Sequence, residues 1–184
     1  LRLRQLSRDY QMQAGQLGQP QGSAAVQGVG LNLQDPFDQA LQWVTEGRAQ
    51  EARNLLPAEL ESEPVFASYV RALVAGELQL HGEALVYYQK VLHHCPGRDD
   101  LMTFAGFHAF QLADPTAEKL WLQSLTLNPS NPLTHSFLGY FYLQQQEWQL
   151  AADFFGAAAE LQPEQVSHAA RREQALLRGR GASG

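Results

Sequence analysis

A chain of 184 residues, 45% of them hydrophobic, is long enough to bury one sizeable core or one array of repeats. Its formal charge of −6 argues against a nucleic-acid binder, which would need a basic stripe to offset phosphate charge. The single cysteine, Cys95, excludes an internal disulfide framework and fits a reducing compartment, so the expected location is the cytoplasm.

Residues 1–32 open on LRLRQLSRDY, which has no apolar core after its arginines and so does not read as a secretory signal. They continue into a Gln- and Gly-rich run without sustained apolar periodicity, expected to be a flexible arm or linker. The missing initiator methionine raises the expectation that the chain is a piece of a longer protein. No apolar run reaches the roughly 18 residues of a membrane-spanning helix.

At Asp35-Pro36 the pattern changes to a helix start, with Asp as cap and Pro in the first turn. Residues 33–64 read as a first repeat of two helices marked by Ala40, Trp43, Gly47 at the turn, Ala52 and Leu56. Pro57 interrupts its second helix early. Residues 65–96 form a second repeat with Ala72, Ala84, Tyr88, Leu92 and Pro96, a turn around Gln79 to Gly82, and Arg71 where a large apolar side chain is usual.

The third repeat, 97–129, carries Gly106, Ala117, Trp121, Leu125 and Pro129, with Asp114-Pro115 starting its second helix. The fourth, 130–163, carries Leu138, Gly139, Tyr142, Ala151, Phe155, Ala158 and Pro163. Gly106 to Ala117 spans 11 positions against 12 from Gly139 to Ala151, so the third turn is one residue shorter. The closing prolines at 64, 96, 129 and 163 are spaced 32, 33 and 34 residues apart. Residues 164–178 read as a capping helix with Val166, Ala169, Ala170, Ala175, Leu176 and Leu177 on its apolar stripe, and 179–184 as a disordered tail.

Two antiparallel helices approach closely where one presents a small side chain to a large one. Ala72, Gly106 and Gly139 are placed to receive Ala84/Tyr88, Ala117/Trp121 and Ala151/Phe155. These markers, over about residues 33–163, resemble the tetratricopeptide-repeat (TPR) superfamily. The resemblance implies an all-α, right-handed solenoid of antiparallel hairpins whose first helices line a concave groove. It implies non-catalytic binding of a peptide or partner protein there, with no cofactor.

Carried over position by position, the groove corresponds to Phe37, Leu41 and Val44; Phe66, Tyr69 and Leu73; Thr103, Phe107, Phe110 and Gln111; and Leu133, Ser136, Tyr140, Leu143 and Gln144. TPR domains that clamp acidic chaperone tails use basic residues and Asn at such positions, and none stands here. The resemblance instead implies a groove for an apolar segment, as in bacterial secretion chaperones or assembly factors. An aromatic stripe at helical spacing is equally a core stripe, and both readings stand at this stage. The alternatives carried forward are an accessory segment of a larger enzyme, such as a bacterial signalling transferase, and a self-assembling scaffold.

Candidate chemistry is sparse. His93-His94-Cys95 are adjacent and diverge on a helix, so helix-end histidines explain them better than a metal site does. Glu59, Glu61 and Glu63 read as a solvated loop, and Gly28-Val29-Gly30 lacks both the third glycine and the strand of a phosphate-binding loop. A stand-alone enzyme is not expected.

Overall fold

The computed structural model describes residues 34–59 and 64–182; the expected arm at 1–32 lies outside them. The described residues form helices and no strands. They are α1 (Pro36–Thr45), α2 (Ala49–Leu55), α3 (Val65–Glu77), α4 (His81–His94), α5 (Asp99–Gln111), α6 (Thr116–Leu127), α7 (Pro132–Gln144), α8 (Trp148–Leu161) and α9 (Val166–Ala182). Consecutive helices pair as the hairpins α1/α2, α3/α4, α5/α6 and α7/α8, each hairpin packs on the next, and α9 packs on α8.

Local sequence explains the helix starts. The Asp35 carboxylate accepts from the backbone N–H groups of Phe37 at 2.8 Å and Asp38 at 3.3 Å, ahead of Pro36 in the first turn. Asn131 does the same before Pro132, accepting from Thr134 N–H at 3.1 Å. The inter-helix turns share a left-handed residue: Gly47 (φ 77°), Gln79 (φ 57°), Ala113 (φ 54°) and Gln146 (φ 64°). Each lies seven positions after the small residue of its first helix, Ala40, Ala72, Gly106 and Gly139. The short third turn therefore loses its residue after Ala113, where Asp114 Oδ1 accepts from Thr116 N–H at 2.8 Å and opens α6 directly.

Packing closes the hairpins where glycine meets an aromatic ring. A Cβ added to Gly106 would lie 2.6 Å from Trp121 Nε1, and one added to Gly139 would lie 2.8 Å from the Phe155 ring. Trp121 and Phe155 are both buried, and the Trp121 indole N–H donates to the Thr103 carbonyl at 3.0 Å. The main core runs from Ala72 to Leu138 through Tyr88, Leu101, Phe107, Trp121 and Phe137. A smaller core under α1 and α2 is built on Ala40, Ala52, Val70 and Val74, and another under α9 on Ala151, Ala152, Phe155 and Ala175.

Two expectations need correction. Of the expected stripe on α9, Ala175 is fully buried and Leu176 packs half-buried against the same small core, whereas Val166 is 75% and Leu177 62% exposed and Ala169 and Ala170 also face water. The face that packs adds His168 and Gly179 to Ala175 and Leu176, because α9 meets α8 at Gly156 and at Trp148, where side-chain bulk is accommodated by small residues. The helix also continues through Gly179 to Ala182, beyond the expected end at 178. A Cβ on Gly179 would stand 3.1 Å from Trp148 Cβ, a contact that holds the last turns against α8.

Candidate functional site

The row expected to face a groove divides into two classes. Thr103, Phe107, Leu133 and Ser136 are between 1% and 7% exposed and lie in the core. Their burial follows from partners that the spacing alone does not reveal. Thr103 Oγ1 sits 2.9 Å from Ser124 Oγ and 2.6 Å from Thr134 Oγ1, forming a hydroxyl cluster where α5, α6 and α7 meet. Phe107 stacks on Phe137 with centroids 5.3 Å apart, and Ser136 Oγ lies 3.2 Å from His168 Nδ1 of α9. The last helix therefore covers part of the fourth first-helix row.

Tyr140 is half-buried under the same helix, edge-on to Phe155 at 5.1 Å and beneath the Arg171 guanidinium at 4.4 Å. The remaining positions keep surface. Phe66 is 44% exposed, Tyr69, Leu73, Phe110, Gln111 and Leu143 are half-buried, and Gln144 is exposed. Phe37, Leu41 and Val44 are half-buried against the small N-terminal core.

Sequence reasoning missed the charged groups beside this row. Glu77 falls on the same face of α3 as Phe66, Tyr69 and Leu73, at offsets of three, four and four residues. It is half-buried, and burial pushes its carboxyl above the usual range. Asp100, at the start of α5, pairs with Arg98 at 2.5 Å. Burial, then the Asp100 charge, raises the Tyr69 hydroxyl, partly offset by Arg98. The helical period from Tyr69 to Glu77 is the sequence signal that places this carboxylate on the row.

A second missed feature is the histidine pair between the second and third repeats. His108 is fully buried, with its Nδ1 3.0 Å from Nδ1 of His81, so one ring donates and the other accepts. Its Nε2 is buried without a hydrogen-bond partner against Gly76, where an added Cβ would lie 3.2 Å away. Burial, then the neighbouring His81, pushes the His108 pKa down to about 3, and burial lowers His81 as well. Both rings are therefore neutral near pH 7, and the pair has a structural part.

Arg71 has a clear role in the place of a large apolar residue. Its Nη2 donates to the Pro57 carbonyl at 2.7 Å, and its guanidinium lies 5.5 Å from the Phe37 ring centroid. On the outer side, Tyr142 donates to Glu118 at 2.6 Å, and burial followed by that bond holds its hydroxyl up at about 12. His93 and His94 are exposed, and no three His, Cys, Asp or Glu side chains converge on a metal-sized site among the described residues.

The array of helical hairpins is similar to solved structures of MamA, a TPR-like helical solenoid. The fold is an all-α, TPR-like solenoid. The chain is similar to MamA of AMB-1 at 19% identity, with a TM-score of 0.63 over 80% of this chain and 95% of that one. It is similar to an RS-1 double mutant of MamA at 17% identity, with a TM-score of 0.62 over 88% and 95% of the two chains. MamA of MSR-1 matches at 16% identity, with a TM-score of 0.62 over 84% and 96%. No family model matches the chain, and no curated protein matches it by sequence. No helix among the described residues is long and apolar enough to cross a membrane.

Proposed function

We infer that this chain is a non-catalytic protein-interaction module that takes an apolar partner segment on the first helices of its second to fourth repeats, as a chaperone or assembly factor. The observation that carries the reading is the row of Phe66, Tyr69, Leu73, Phe110 and Leu143, large side chains that keep surface after the core is complete. Aromatic anchors give much contact area for little lost side-chain freedom. Gln111 and Gln144 at the helix ends supply a polar rim. Thr103, Phe107, Leu133 and Ser136 contribute by shaping the floor from beneath.

Binding of an uncharged, dansyl-labelled Leu/Phe peptide library to the full chain tests this. Phe66→Ala and Tyr69→Ala are expected to weaken the best binder by about tenfold, equivalent to ~1.4 kcal/mol. Affinities equal to that of the parent would refute the site. A second reading, a self-assembling scaffold, is favoured by the outer face of α9, where Val166 and Leu177 stand exposed. Sedimentation at rising concentration separates the two, since a monomeric binder keeps one coefficient throughout.

A further inference from the structure

Resting on that reading, the question becomes what meets the row when no partner is bound. Glu77 extends the apolar face of α3 with a half-buried carboxylate, and among the described residues no ion pair or hydrogen bond reaches it. A carboxylate partly withdrawn from water without a cation is an unfavourable arrangement that a guanidinium would relieve. The chain carries its own complement. Residues 1–33 hold Arg2, Arg4, Arg8 and Asp9, a net charge of +2, which leaves −8 on residues 34–184 from the total of −6. The three arginines alternate with Leu1, Leu3 and Leu6, the kind of side chain suited to a row of Phe66, Leu73 and Leu143.

We propose that the chain's own N-terminal segment, residues 1–8, occupies this row in cis, its leucines on the apolar side chains and an arginine against Glu77, and that a partner must displace it. The length suffices. The 26 residues from Arg8 to Gln34 can span up to about 90 Å, whereas a first helix of 13 residues is about 20 Å long. Covalent attachment sets a local concentration on the order of 1 mM, so a segment with an intrinsic Kd of about 0.1 mM fills the row roughly nine-tenths of the time. The segment therefore acts as a weak, built-in competitor that raises the threshold for entry of a partner.

The experiment uses the full chain and the uncharged dansyl-labelled peptide. Arg2→Glu/Arg4→Glu/Arg8→Glu and, separately, Glu77→Gln are each expected to tighten peptide binding by about tenfold, with helical content unchanged and the affinity independent of protein concentration. Binding that is present and equal in the parent and both variants overturns the proposal while leaving the groove intact. No binding in any of them removes the groove reading and the proposal together. Competition that strengthens with protein concentration overturns occupancy in cis, because the competing segment then comes from a second copy.

Discussion

The first and fourth hairpins solve the same packing problem with different residues. In the fourth, Gly139 leaves room for the Phe155 ring, and α8 runs for 14 residues with Ala151, Ala152, Phe155 and Ala158 buried. In the first, Ala40 and Ala52 are fully buried, but α2 has only seven residues. Leu56, which stands where the plugging side chain belongs, is already extended (φ −65°, ψ 131°) because Pro57 disfavours helical backbone before it. The plug is replaced by a brace in which Arg71 ties the Pro57 carbonyl to the Phe37 ring. A hairpin closed by an aromatic wedge concentrates its stability in one contact, whereas a braced hairpin spreads it over weaker, partly exposed ones.

The sharpest way to break this contrast is to truncate both plugs. Phe155→Ala should cost about 3–5 kcal/mol in urea unfolding, while Leu56→Ala, half-exposed, should cost about 1 kcal/mol. Equal costs would mean that the two hairpins close alike. Gly139→Leu follows, at about 1–3 kcal/mol or more from overpacking against a ring that cannot move away. An unchanged melting temperature for that variant would place Gly139 outside the helix contact.

Acid sharpens the comparison from the middle of the molecule. His108 stays neutral in the folded chain down to about pH 3, whereas the unfolded chain takes up that proton near pH 6.5. The unfolded state then binds more protons, so stability falls as pH drops from 6.5 towards 3, by about 1.4 kcal/mol per unit, or about 2 kcal/mol by pH 5. His81 adds in the same direction, and Glu77, whose folded pKa is raised, acts oppositely in the carboxylate range. Melting temperatures from pH 7 to 5 should show this slope, and His108→Leu should flatten it. The smallest effect is at the third turn, where Ala113→Gly should add up to about 1 kcal/mol by relieving a left-handed backbone, read as a rise in urea midpoint.

Much of the fold was legible because its determinants are local or periodic. Asp35-Pro36 capped a helix, Gly47 marked the first inter-helix turn, and Pro57 ended α2 as expected. The left-handed backbone of the equivalent residues Gln79, Ala113 and Gln146 has no glycine to announce it, since the hairpin geometry imposes that conformation against intrinsic preference. The binding row was legible only as a helical face. Periodicity says that Phe66, Phe107 and Tyr140 point the same way along their helices, and it is silent on which of them a later element covers.

The sequence by itself determined the helical hairpins, their spacing, and the pairing of Gly106 with Trp121 and Gly139 with Phe155, because small and large side chains at fixed offsets on antiparallel helices can meet in few ways. Only the tertiary structure decided which face of α9 is buried, with His168 and Ala175 inward and Val166 and Leu177 outward, and therefore that Ser136 and Tyr140 are covered. It also decided that His108 is enclosed beside His81 and that Glu77 continues the open row. Burial is a property of what packs over a residue, and the helices that do so here come from distant parts of the chain.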